Sequence, residues 1–537
     1  MFRNRLLTVG LRASVPHREG LHRTAVNYAG ARRRHASSAA TEITEHNVRQ
    51  KTMEDLGGPS FLTTLNWLFL KGYLPKTQQM QVEHSKIYGP LWKSKYGPMV
   101  VVNVASADLI EQVLRQEGRH PVRTDMPHWR RYRALRNQAH GPLTEMGAKW
   151  QRIRSILNPR MLKPQHVSSY GITINDVVTD FLEKLVWLRA KDGGGVMVND
   201  VAGELYKFAF EGISSVLFES RMGCLNDEVP EETQKFIYSV GEMFRLSAVV
   251  VLFPQSVWPY LPLWKKFVAA WDYLFKVGEQ LWHREVRTIQ WLNKVDLHQD
   301  VEGAYLTHLL LSEKMTVTEI LGSITELLLA GVDTTSNTIS WALYQLAQNP
   351  SIQDQLYHEV RSVCPGNKMP DSDDIAQMPY LKAVIRETLR LYPVVPGNAR
   401  VTVDKEIVVG GYLFPKQTLF HLCHYCVSHD ENIFPNSRVF QPERWLRGRE
   451  EKSKQHPFGS VPFGFGVRAC LGRRVAELEM YLLLSRLIRR FEVRPDPNGA
   501  EVKPITRTLL CPATPINLQF LDRGAQRAPG PAAGASL

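Results

Sequence analysis

Apolar residues recur at three- and four-residue intervals over most of the stretch from Thr173 to Leu391, the spacing that turns one helix face inward. The clearest case runs from Thr316 to Asn349, where Ile320, Leu321, Ile324, Leu327 and Leu328 mark a single stripe. Thr316 with Glu319 makes a capping box at its start, and Pro350 marks its end. At the rise of an α-helix such an element is about 50 Å long, enough to cross a whole domain. Strand-like runs are short: Met99 to Asn103, Glu406 to Val409, and the alternating Phe420 to Val427. The pattern predicts a mainly α fold with small β-sheets. No linker-like break interrupts residues 41–522, so they read as one domain, followed by an Ala/Gly/Pro-rich tail over 523–537 that reads as disordered.

The long helix carries a weakness at its centre. Ala330-Gly331-Val332-Asp333-Thr334-Thr335 places a glycine and two threonines where good helix formers belong, and Gly there costs roughly 1 kcal/mol against Ala. Read alone, the two hydroxyls bond back to the preceding turn. A second feature is Phe463-Gly464-Phe465-Gly466-Val467-Arg468-Ala469-Cys470-Leu471-Gly472. A cysteine between glycines, beside an arginine, suits a thiolate presented to a haem iron, a ligand that favours O–O cleavage. Gly466 and Gly472 are expected to let the loop wrap the sulfur, and Arg468 to reach a haem propionate. Glu387 and Arg390 stand at i and i+3, close enough to pair on one helix face. Cys423-His424-Tyr425-Cys426 lacks a second C-x-x-C for zinc, and its alternating surroundings read as a buried strand or turn.

Charge is concentrated at the start. Residues 1–40 hold eight Arg and one acid, Glu19, so more than half of the formal +13 lies there. Arg-rich, Ser-containing and acid-poor, with Phe2, Leu6, Leu7, Val9 and Leu11 interleaved, this segment reads as a mitochondrial targeting presequence. A nucleic-acid-binding arm would bring an aromatic or zinc module, and none accompanies it. No apolar run approaches the ~20 residues of a membrane span. Ala248 to Phe253 with Trp258, Tyr260, Leu261, Leu263 and Trp264, and Phe61 to Leu70, instead suit contact with one bilayer face. Six scattered cysteines without a secretory signal argue against a disulfide framework.

The cysteine loop, Glu387-Thr388-Leu389-Arg390, Phe440-Gln441-Pro442-Glu443-Arg444-Trp445 and the Ala330 to Thr335 segment together resemble the cytochrome P-450 superfamily, in that family's order. The resemblance implies a haem b held by Cys470, and a structural network in which Arg444 joins Glu387 and Arg390. By the same likeness Trp150, Arg154 and Arg400 bind the propionates, Phe463 opens the haem loop, and Gly331 marks a groove where Asp333 with Thr334, an acid and an alcohol, delivers protons. Ala330, Val394 and Val395 would line the substrate pocket. Val113 to Arg123, Leu261 to Lys266 and His456 to Pro462 further resemble the mitochondrial sterol 27-hydroxylases, and Pro396 to Arg400 and Asn517 to Asp522 the vitamin D 1α-hydroxylases. This implies hydroxylation of a sterol side chain with O2 and electrons from NADPH, passed by ferredoxin reductase and a [2Fe–2S] ferredoxin docked at Lys382 and Arg386, with Arg473 and Arg474 beside them. It also implies peripheral attachment to the matrix face of the inner mitochondrial membrane and no nucleic-acid partner. A vitamin D 1α/25-hydroxylase or retinoid-modifying sibling is the alternative, and a haem-thiolate sensor, which needs no acid and alcohol pair, the alternative outside catalysis.

Overall fold

The computed structural model describes residues 49–523, apart from 97–98, 192–194, 219, 295–304, 313, 447 and 449–454. The presequence, residues 192–194 and the tail beyond Arg523 lie outside the described residues.

The long helix forms over Val317–Gln348, with Thr316 as its N-cap and the Thr316/Glu319 capping box in place. Helical spacing gives it an apolar stripe on more than one side, and 22 of its residues are buried. It is therefore a core helix packed on several neighbours. The helix Val201–Phe218 lies against it, as do parts of Pro262–Lys294, Pro379–Leu391 and Arg473–Arg490. Gly331 explains the closeness of the first contact: a Cβ there would lie 2.8 Å from Ile213 Cγ1. The expected groove is thus not what Gly331 serves, because the missing side chain is occupied by the neighbouring helix.

The strands are short, as the pattern implied. Leu91–Tyr96, Met99–Val104, Leu419–Leu422 and Asn398–Val401 form a four-stranded sheet in that order, antiparallel at its two ends and parallel between Met99–Val104 and Leu419–Leu422. Ile407–Val409 pairs with Tyr412–Phe414 across a turn at Gly410 and Gly411, both with positive φ. Phe491–Pro495 and Leu518–Asp522 pair beyond the last helix, and Pro504–Arg507 forms a hairpin with Leu509–Pro512. The alternation over Phe420 to Val427 corresponds to a strand only as far as Leu422. From His424 the chain is helical, and Cys423 and Cys426 are buried in a small cluster with Trp92.

No helix among the described residues is long and apolar enough to cross a membrane. Both stretches expected to touch a bilayer divide between inside and outside. Trp258 and Trp264 belong to the core, stacked at 5.3 Å, while Val251, Leu252, Phe253, Val257 and Tyr260 are exposed. Phe61, Leu62, Phe69 and Leu70 are exposed as well, and Leu68 is buried.

Candidate functional site

The cysteine loop is built by two left-handed glycines and two arginines. Gly464 has φ +72° and Gly466 φ +69°, a region that residues with a Cβ avoid. Gly472 has φ −84°, so the expectation of an unusual backbone there is corrected: it is the N-cap of the following helix, and its N–H hydrogen-bonds Cys470. The N–H of Cys470 donates to the Phe463 carbonyl at 2.8 Å and that of Ala469 to Gly466 at 3.0 Å, which closes the turn. Arg154 holds the Ala469 carbonyl at 3.0 Å and Arg123 that of Arg468 at 2.8 Å. The Arg473 guanidinium sits over the Phe463 ring at 5.3 Å. Burial pushes the Cys470 thiol up, while the Gly472 hydrogen bond and the charges of Arg123, Arg154 and Arg473 pull toward thiolate.

Around the sulfur, positive charge is in excess. Arg123, Arg154, Arg400 and Arg468 act on one another, with Glu117 as the carboxylate paired to Arg400. Burial and this mutual repulsion pull Arg123 down to about 10 and Arg468 to about 9. The Arg468 guanidinium stacks on the Trp150 ring at 3.8 Å and donates to the carbonyls of Pro121 and Glu145. Even so, Arg123 Nε, Arg154 Nε, Arg468 Nη1 and Trp150 Nε1 are buried without a protein partner. Buried donors of this kind call for acceptors. A haem, with two propionates and an iron for the Cys470 sulfur, supplies what the donor set lacks, so these residues fit the group.

On the long helix, Ala330 is exposed and Gly331, Asp333 and Thr334 are half-buried, in the middle of a mostly buried element. The Thr334 hydroxyl donates to the Ala330 carbonyl at 2.7 Å, the back-bonded arrangement. Asp333 turns to the neighbouring helix, where Tyr206 donates to its Oδ1 at 2.6 Å. Burial pushes the Asp333 carboxyl up to about 6, opposed by that hydrogen bond.

The network expected at Glu387 is complete and larger than expected. Arg390 Nη2 and Arg444 Nε meet Glu387 Oε1 at 2.7 and 3.0 Å, and all three side chains are buried. The indole N–H of Trp445 adds a bond to Oε2 at 2.8 Å. Arg390 also holds the carbonyls of Ser428, Ser437 and Val439, so the irregular chain before Arg444 is tied to this helix. Val394 is buried, its carbonyl bonded by Leu510 N–H at 2.8 Å, whereas Val395 is exposed. Arg386 is exposed, and Lys382 is half-buried and donates to the Ala376 carbonyl at 3.1 Å. Arg473 pairs with Glu477 at 3.1 Å.

Three participants escaped the sequence. Glu117 and Arg123 stand in a segment whose charge needs partners, a signal that could have been followed. Tyr206 lies 127 residues before Asp333 in an ordinary helical stripe, and nothing local marks it.

A family model described as cytochrome P450 matches residues 57–520. The chain is 46% identical to the mitochondrial sterol 26-hydroxylase of Rattus norvegicus over 496 residues, covering 92% of this chain and 93% of that one. It is 45% identical to the Homo sapiens sterol 26-hydroxylase over 478 residues, 88% and 90% of the two chains. To the Homo sapiens mitochondrial 25-hydroxyvitamin D-1 alpha hydroxylase it is 44% identical over 484 residues, 89% and 94% of the two.

Proposed function

From the premise that this chain belongs to the cytochrome P450 family, and is therefore a haem-thiolate monooxygenase, we propose that it hydroxylates the terminal side-chain carbon of a sterol in mitochondria. Identity in the middle forties over about nine-tenths of both chains supports the substrate class, because the relatives so matched are sterol 26-hydroxylases. The observation that carries the chemistry is the cluster of buried arginines around Cys470 with orphaned donors.

When bound, haem supplies reductive activation of O2 and insertion of one oxygen atom into a C–H bond. Cys470 would be its ligand, and Arg123, Arg154, Arg400, Arg468 and the Trp150 indole N–H would hold its carboxylates. Thr334 and Asp333 move protons: with an acid near 6, Asp333 exchanges its proton close to neutral pH, where a relay group works best. Thr334 must first leave the Ala330 carbonyl, a single rotation about its side chain. Ala330, Val394 and Val395 border an apolar substrate, for which few polar contacts are needed. Electrons arrive from NADPH by way of ferredoxin reductase and a [2Fe–2S] ferredoxin, for which Arg386, Arg474 and Lys382 offer a positive face. Exposed Val251, Leu252 and Phe253, with Phe61, Leu62, Phe69 and Leu70, support peripheral contact with the matrix face of the inner membrane. Similarity to the vitamin D enzyme favours a secosteroid as the second reading.

The test is turnover of purified, haem-loaded protein with a reconstituted ferredoxin chain on cholesterol, cholestanetriol and a vitamin D, with products identified by mass. A side-chain alcohol from a sterol is expected; product from the vitamin alone supports the second reading, and oxygen inserted into neither refutes both. Cys470→Ala should lose the red-shifted Soret band of the reduced carbon monoxide complex.

A further inference from the structure

Two neighbours in sequence, Asp333 and Thr334, are held by different helices. Thr334 bonds within its own helix, to Ala330. Asp333 accepts from Tyr206, on Val201–Phe218, at 2.6 Å, with Asn337 Nδ2 further off at 3.4 Å from the same oxygen. Its length lies in the range of an O–H···O⁻ bond, so it gains charge assistance whenever Asp333 is ionised. The reach depends on the helix pair. Tyr206 and Ile213 are seven residues apart, two turns, and so share one face of their helix. Ile213 seats against Gly331, which brings that face close enough for Tyr206 to meet Asp333.

We propose that Tyr206 is a positioning residue for proton delivery, holding Asp333 in the orientation and charge state from which it serves Thr334. This deepens, and rests on, the monooxygenase reading above. Donation to the carboxylate favours its ionised form and opposes the burial that raises it. Tyr206 is itself pushed well above its ordinary range by burial and by Asp333, so it stays a donor throughout the working pH range. Among the described residues, the further titratable group that acts on this pair is Cys511, from the strand Leu509–Pro512. Its thiol is pushed up to about 11 by burial and so stays neutral, with Arg507 acting on it in turn. Asn337, on the long helix, is uncharged. Tyr206 and Asp333 thus form the ionisable unit, and Cys511 a neutral neighbour.

The experiment is an infrared pH titration of the protonated carboxyl band in haem-loaded protein, with the Asp333 band identified by its loss in Asp333→Asn. The parent midpoint is expected near 6. Tyr206→Phe keeps the ring and removes the donor, so the midpoint should rise by roughly one unit. Electron coupling, read as peroxide formed per electron consumed, should shift its acid limb upward by the same amount. Cys511→Ala should leave both in place. An unmoved infrared midpoint in Tyr206→Phe overturns the proposal, and so does a moved midpoint with an unchanged coupling profile. The infrared arm needs no sterol. If that midpoint moves while no sterol or secosteroid is oxidised, the substrate reading fails and the Tyr206–Asp333 link stands.

Discussion

Replacing Trp445 by Phe isolates one bond of the buried network. Glu387 Oε2 accepts from Arg390 Nε at 2.9 Å and from the Trp445 indole at 2.8 Å, and Phe keeps an aromatic ring near Phe434, whose centroid lies 6.0 Å away. What is lost is chiefly a hydrogen bond to an ionised group, worth about 1.5–3 kcal/mol. Trp445 is half-buried, so water replaces part of it, and about 1.5 kcal/mol is the expected cost. Glu387→Gln is the harsher change: it leaves the buried guanidinium groups of Arg390 and Arg444 facing a neutral amide, at about 3–5 kcal/mol. The assay is urea unfolding of the haem-loaded protein followed by far-ultraviolet circular dichroism, comparing midpoints at unchanged slope. In the Gln background Trp445→Phe should cost clearly less, because its acceptor no longer carries charge. A loss below about 0.5 kcal/mol in the parent, or the same loss in both backgrounds, would refute the reasoning.

Thr334→Ala should retain haem and sterol binding while diverting reducing equivalents to peroxide; unchanged coupling removes Thr334 from the relay. Val395→Phe should move the hydroxylation site or weaken the sterol-induced spectral change before haem content falls, and if neither responds Val395 faces elsewhere. Arg386→Gln should raise the ferredoxin concentration for half-maximal turnover several-fold at low salt, and the difference should shrink as salt screens the charge. Lys382→Gln should do less, since that ammonium already serves the Ala376 carbonyl and is pulled down by burial and by Arg386; equal ferredoxin dependence in all three proteins would place docking elsewhere. Glu479 is buried against Gly212, with Oε1 lacking a partner and its carboxyl pushed up by burial to about 8. A raised acid stabilises the fold below its unfolded value and loses that contribution as pH climbs through the folded one, so stability should fall between about pH 4.5 and 8. Glu479→Gln should flatten that slope, which unfolding midpoints across the window would detect.

Much of this protein was readable from local chemistry. Capping at Thr316, the apolar stripe behind it and the stop at Pro350 predict the helix Val317–Gln348 almost to the residue, because a helix end depends on backbone groups within one turn of it. The cysteine loop was legible from its own residues, whereas the joining of Glu387, Arg390 and Arg444 was legible only through the family resemblance, since a Glu and an Arg at i and i+3 stand on many solvated helix faces. What the chain could not disclose were partners joined across long separations. Gly331 looked like a groove and is a packing contact with Ile213. Gly466 and Gly472 both looked like special backbone positions, and the positive φ falls on Gly466 and Gly464 instead of Gly472, a distinction that depends on how the whole loop closes. Trp445 stands 58 residues from Glu387 with nothing local to mark the link, and its N–H completes the shell of that carboxylate. Tyr206 meets Asp333 across 127 residues, and Arg400 meets Glu117 across 283. Periodicity tells which side of an element faces inward; which side chain it meets there is decided by how elements pack, and only the folded chain brings that pair within a hydrogen bond.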